Sequence, residues 1–171
     1  GNPFTFAMDV KNFKATGLAT GYAVLNAEGN DYLYLIEGQI PVGNGFFVMA
    51  TEATAALTYS ETAARGAAEE TANINIVAKG ATGSNNVIIN MANDKEGFRK
   101  LEGFNKEIAN IYVENKGNKY AIYNCESDVN EVELTFVAKQ MGSYSLSFDI
   151  NGEFETVTLV DRMTGVETDM I

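Results

Sequence analysis

The chain has 171 residues, 46% hydrophobic and 20% charged, enough for one full β-sandwich or two small ones. Its net charge of −11 argues against nucleic acid and anionic membranes, because backbone phosphates require clustered Lys and Arg. With no His and a single Cys, it excludes Ser–His and Cys–His catalysis, His-bound metal, an intrachain disulfide and a Cys-based zinc site.

Phe4, Phe6 and Met8 alternate with polar or small residues, predicting a first short strand after Pro3. Gly21–Asn26 predicts a second strand, closed by the turn residues Glu28-Gly29-Asn30. In Asp31–Glu37, Tyr32, Tyr34 and Ile36 share one face while Leu33 and Leu35 share the other. That strand is either covered on both sides or carries an exposed aromatic face. Pro41 confines the approach to Phe46–Ala50 to an edge or strand start, and Phe46–Ala50, apolar without alternation, is predicted to be a fully buried strand. The segment 51–71 is rich in Ala, Thr and Glu; Leu57-Thr58-Tyr59 suggests a brief strand and 63–70 a helical turn or surface excursion. Ile74, Ile76 and Ala78 resume the alternation, and Gly80–Asn86 turns the chain into Val87–Met91. Phe98, Leu101, Phe104 and Ile108 then recur at three or four residues, predicting a bent loop that tucks over one end of a sandwich. Ile111–Val113 and Tyr120–Tyr123 flank a Gly-containing hairpin loop, and Glu131–Ala138 alternates again.

Ser143–Asp161 gives the strongest pattern. Tyr144, Leu146, Phe148 and Ile150 form one apolar stripe, followed by Asn151-Gly152 and then Val157 and Leu159. Asn-Gly suits a type I′ turn, which predicts a hairpin placing Leu146 opposite Val157 and Phe148 opposite Glu155. The fold class expected is all-β, an antiparallel β-sandwich of jelly-roll type with roughly ten or eleven strands. A single domain over 1–171 is expected, with a two-lobed split near 80–86 as the alternative. No apolar run approaches the roughly 18 residues of a membrane-spanning helix.

Several stretches together resemble a module of large secreted and surface proteins of Bacteroidetes. They are Gly1-Asn2-Pro3-Phe4, Ile40-Pro41-Val42-Gly43-Asn44-Gly45-Phe46-Phe47-Val48, Lys100-Leu101, Tyr120-Ala121-Ile122 and Val160-Asp161-Arg162-Met163-Thr164-Gly165. The resemblance implies a β-sandwich near the C-terminal part of a surface protein. It brings no catalytic residues. In that family an aromatic-rich strand follows the Thr-Gly, so both ends here are expected to be the limits of a fragment.

The candidate sites are few. Tyr32 and Tyr34 are the candidate sugar-stacking pair, with packing as the structural alternative. Asp31, Asp94 and Glu96 are weak candidates for calcium, and no other cofactor is expected. Glu131 and Glu133 have the spacing of a glycosidase acid pair but lack a third acid, so a solvated strand is expected. Cys125 reads as a buried inert thiol, and Asp161 with Thr164-Gly165 as an Asx-type turn. The function expected is a non-catalytic structural or adhesive module, extracellular or on the cell surface, with a glycan or a host or matrix protein as partner. A carbohydrate-binding module using Tyr side chains is the alternative, and a glycoside hydrolase fragment a distant third.

Overall fold

Period-two alternation broken by glycine turns makes strands rather than helices, and the computed structural model is all-β. It describes residues 1–60, 71–91, 96–126 and 128–171, so Asp94 and the helical turn suggested for 63–70 lie outside the described residues. The N-terminal part supplies β1 (Met8–Asp9), a 3-10 turn (Val10–Asn12), β2 (Phe13–Thr16), β3 (Tyr22–Leu25), β4 (Tyr32–Leu35), β5 (Gln39–Ile40), β6 (Phe46–Phe47) and β7 (Ala56–Tyr59). Here β4-β3-β6 form a three-stranded sheet, flanked by the pairs β1–β5 and β2–β7. Between them lie Met8, Val10, Tyr22, Val24 and Ile40, with Leu33 and Leu35 packed against this cluster.

The second part contains β8 (Asn73–Gly80), β9 (Gly83–Asn90), β10 (Phe98–Arg99), β11 (Asn110–Asn115), β12 (Asn118–Asn124), β13 (Leu134–Val137) and β14 (Ser145–Asn151). Six of them run in the order β13-β11-β12-β9-β8-β14, and β10 pairs with β12. The outer strands converge: the rings of Phe136 and Tyr144, beside opposite edges, lie 5.4 Å apart. The sheet is therefore rolled, and Ile76, Val87, Ile111, Val113, Leu134 and Phe148 fill its inside. On its outer side, Ile88, Phe98, Ala121 and Ile122 meet Ala23, Tyr32 and Tyr34 of the N-terminal sheet. That contact answers the two-faced pattern of β4, which is covered on both sides. A last hairpin, β15 (Thr158–Asp161) with β16 (Val166–Asp169), is a separate two-stranded sheet.

Four expectations need correction. The Ser143–Asp161 hairpin does not form: β14 pairs with β8 instead, placing Phe148 opposite Ile76 and Leu146 opposite Ala78. The local hairpin would have set Phe148 against a carboxylate; β8 offers an apolar stripe in register and a core behind it. Leu146 nonetheless stays 38% exposed. Gly152 has positive φ (+95°), but Asn151 does not, so no type I′ turn occurs there; the two-residue turn with positive φ at both centres is Lys116-Gly117 in the β11–β12 hairpin. Second, β9 and β12 pair in parallel, so the fold is not purely antiparallel. The long connection between them, carrying β10 and β11, makes that pairing possible. Third, Phe46–Ala50 is not a buried strand: its strand is only Phe46–Phe47, Ala50 makes an isolated bridge to Leu18, and Phe47 and Val48 are exposed. Fourth, the first strand is only Met8–Asp9; Phe4 and Phe6 instead stack on each other and on Tyr59. Residues 80–86 fall within the β8–β9 hairpin of one sheet, and the strand total among the described residues is sixteen short segments.

Candidate functional site

Asn26 sets up the site. Its Oδ1 accepts the backbone N–H groups of Asn30 (2.9 Å) and Asp31 (3.2 Å), closing the β3–β4 turn and fixing Asp31 at the head of β4. Asp31 is only 4% exposed. Its Oδ2 accepts a hydrogen bond from Asn85 Nδ2 (3.1 Å) on β9. Asn85 Oδ1 in turn accepts from Lys100 Nζ at 2.5 Å, and the same ammonium donates to the Asn86 carbonyl at 2.7 Å. Asn85 thus relays between a buried acid and an amine that make no direct ion pair. The neighbouring Asn86 holds β4 by its edge: the Tyr34 N–H donates to its Oδ1 (2.9 Å) and its Nδ2 donates to the Tyr34 carbonyl (3.0 Å). This amide supplies what a neighbouring strand would otherwise give.

Lys100 as a residue is half-buried, but its ammonium end lies inside the network and 4.6 Å from the centre of the Tyr34 ring. Burial lowers its pKa to about 7, and the Asp31 charge opposes that shift. Burial likewise raises the Tyr34 phenol, whose oxygen accepts the Leu101 N–H at 2.9 Å.

Two acceptors here have no donor. Among the described residues, Asp31 Oδ1 and Asn110 Oδ1 are buried without a hydrogen-bond partner, and both residues line one cleft of about 220 Å³. A buried acceptor left alone costs on the order of 1–3 kcal/mol. Gly103 closes over the carboxylate so tightly that a Cβ there would sit 2.4 Å from Asp31 Oδ1. The next residue, Phe104, is 62% exposed and rests on Tyr32 with ring centres 4.8 Å apart. Lys106, Lys139 and Glu102 complete the rim. A larger concavity of about 720 Å³ lies elsewhere, beside Ile150, Phe154, Glu155 and Met170. Its residues include no unpartnered buried polar atom among the described residues.

No family model, curated protein or solved structure matches this chain.

The residues singled out by sequence fall as follows. Tyr32 and Tyr34 are 7% and 1% exposed, so neither offers an open ring face to a sugar; they join the two sheets. The exposed aromatics beside them are Phe47 and Phe104, both in ring contact with Tyr32. Asp31 and Glu96 do not form a calcium set: Asp31 is tied to Asn85, and Glu96 pairs with Arg99 at 3.3 Å. Among the described residues there is no group of three or more acidic, His or Cys side chains able to hold a metal. Glu131 and Glu133 both reach Arg162, joining the last hairpin to the segment before β13. Asp161 makes the Asx-type turn, accepting from the Met163 N–H (2.8 Å) and the Thr164 hydroxyl (2.7 Å). Cys125 is a buried free thiol with its pKa raised by desolvation. Among the described residues no helix is long and apolar enough to cross a membrane.

Sequence reasoning missed Asn85, Lys100 and Asn110. The Asn85-Asn86 pair falls within Gly80–Asn86, which the sequence reads as a turn where Asn is ordinary; only its place in β9, where Asn is disfavoured unless its amide has a task, marks it out.

Proposed function

We propose that the chain is a non-catalytic adhesive module of a secreted or cell-surface bacterial protein, holding an extracellular glycan at the Asp31–Asn110 cleft. One observation carries the reading: two buried oxygen acceptors, Asp31 Oδ1 and Asn110 Oδ1, sit without donors beside one cleft. Sugar hydroxyls are donors of the right kind; both oxygens are sealed from the surface, Asp31 Oδ1 beneath Gly103, and a hydroxyl that displaced this loop to reach them would recover part of the cost of leaving them unpaired. The cleft is smaller than the roughly 300–1,000 Å³ usual for drug-sized ligands, which suits a single sugar ring. Leu101 and Ile108 line the cleft itself, and Phe104, in the loop between the lining residues Gly103 and Asn105, has an exposed ring braced on Tyr32 that a sugar extending out of the cleft would meet. The motif resemblance supports the surface setting.

A glycan array tests this with wild type, Asn110→Ala and Phe104→Ala. Binding by wild type that both substitutions weaken at least tenfold, with the melting temperature retained, is the expected result. Binding that survives both would refute it. The second reading, adhesion to a host or matrix protein, is favoured by the exposed Val160, Met163 and Val166 of the last hairpin.

A further inference from the structure

The charges around the cleft carry the reading one step further. The chain is strongly acidic, with 12 Lys and Arg against 23 Asp and Glu. Yet Lys106 and Lys139, two exposed lysines from different parts of the chain, come together on the rim of this cleft. Lys106 belongs to the loop after Gly103, while Lys139 follows β13, whose Val137 pairs with Asn110 on β11. Their distribution is graded. The floor holds the acceptors Asp31, Asn85 and Asn110, and the rim holds two ammonium groups against one carboxylate, Glu102.

We infer that the ligand is an acidic sugar, a uronic or sialic acid residue, bound with its carboxylate on Lys106 and Lys139 and its hydroxyls toward the floor. This rests on the glycan-binding reading above. A neutral sugar would use the floor but leave the rim with two ammonium groups against the single carboxylate of Glu102. A metal cation would meet two ammonium groups at the mouth and only one carboxylate at the floor, which is poor chemistry for a hard ion. An acidic sugar satisfies both layers: its carboxylate accepts charge-assisted hydrogen bonds, and its hydroxyls donate to oxygens that lack donors. Because the ammonium groups are exposed, their share of the affinity should fall with salt, whereas the share from the buried floor should not.

The test uses matched saccharide pairs that differ in the carboxylate: methyl β-glucuronide against methyl β-glucoside, and sialyllactose against lactose. Affinities are read by NMR titration of the full chain at low and at physiological salt. Wild type should bind one acidic member about five- to tenfold more tightly at low salt, with the preference shrinking as salt rises. The double variant Lys106→Ala and Lys139→Ala, changed only at exposed positions, should lose that preference while keeping the affinity for the neutral partner. Equal binding of acidic and neutral members by wild type would overturn the inference and leave the glycan reading standing. So would a preference that survives the double substitution. Binding of no saccharide, on this panel or on the array, would overturn both.

Discussion

The groove beside the last hairpin has about 720 Å³ and the polar cleft about 220 Å³, yet the smaller one has the features of a recognition site. The groove lies between Ile150–Glu155 and the residues after β16, and its acids Glu153 and Glu155 are exposed. The cleft is built on Asp31, Asn85 and Asn110, side chains placed by three different strands or turns, of which Asp31 and Asn85 are held in a buried network. Volume measures how the chain happened to pack. Convergent, desolvated polar atoms cost stability, and a fold keeps them where they act or where a network fully satisfies them. The rigidity of the two regions differs in the same sense. Behind the cleft, Tyr34, Phe98 and Ile122 are each at most 1% exposed, whereas the last hairpin leaves Met163 at 97%.

The comparison breaks most visibly at the sheet contact behind the cleft. Phe98→Ala removes a fully buried ring that packs on Tyr34, and should cost about 3–5 kcal/mol in urea unfolding. A loss below about 1 kcal/mol would mean that the two sheets do not share a core. Gly103→Ala comes next. The added methyl must displace Asp31 or the loop above it, so about 1–3 kcal/mol of stability should go, together with saccharide binding.

Lys100 sharpens the contrast through pH. Its folded pKa is near 7 and its unfolded value near 10.5, so between them the unfolded chain binds more protons. The cost of the buried ammonium is therefore present in full below pH 7 and fades as pH rises toward 10.5. The urea midpoint of wild type should climb from pH 7 to 9.5, and that of Lys100→Met should stay flat over the same range. A flat wild-type curve would contradict the burial assigned to this amine. Above pH 10 the rise should reverse, because Tyr22 is held up to about 12 by burial while unfolded tyrosines ionise. The smallest effect belongs to the hairpin. Arg162→Ala should leave the global melting transition unchanged and weaken only the amide protection of residues 158–169, since its partners Glu131 and Glu133 are solvent-exposed.

The all-β class was legible because alternation and turn residues are local signals. The partner of β14 was not: Asn151-Gly152 proposed a neighbour in sequence, but β8, seventy residues upstream, matched the stripe over seven paired positions, Asn73 to Lys79. A turn motif raises the odds of a hairpin, and a better-matched distant strand outweighs it. The two faces of β4 were legible as a choice, and burial decided it. Tyr32 and Tyr34 were singled out for their ring chemistry, but rings that can stack on sugars serve equally well between sheets. Asp31 was singled out as a calcium candidate on the strength of its turn, whereas the fold buries it against Asn85. Its partner Asn85, the Lys100 amine bound to Asn85, and Asn110 across the cleft are distant from it in sequence, and only the fold brings them together.

The most direct measurement follows the side-chain amide resonances of Asn85 and Asn110 during titration of the isotope-labelled chain with sialyllactose and methyl β-glucuronide. Saturable shifts at these two amides and at the Gly103–Phe104 backbone, with the Ile150–Glu155 groove unmoved, are the predicted result. Shifts confined to the groove, or none at the two asparagines at saturating sugar, would contradict the assignment of the cleft.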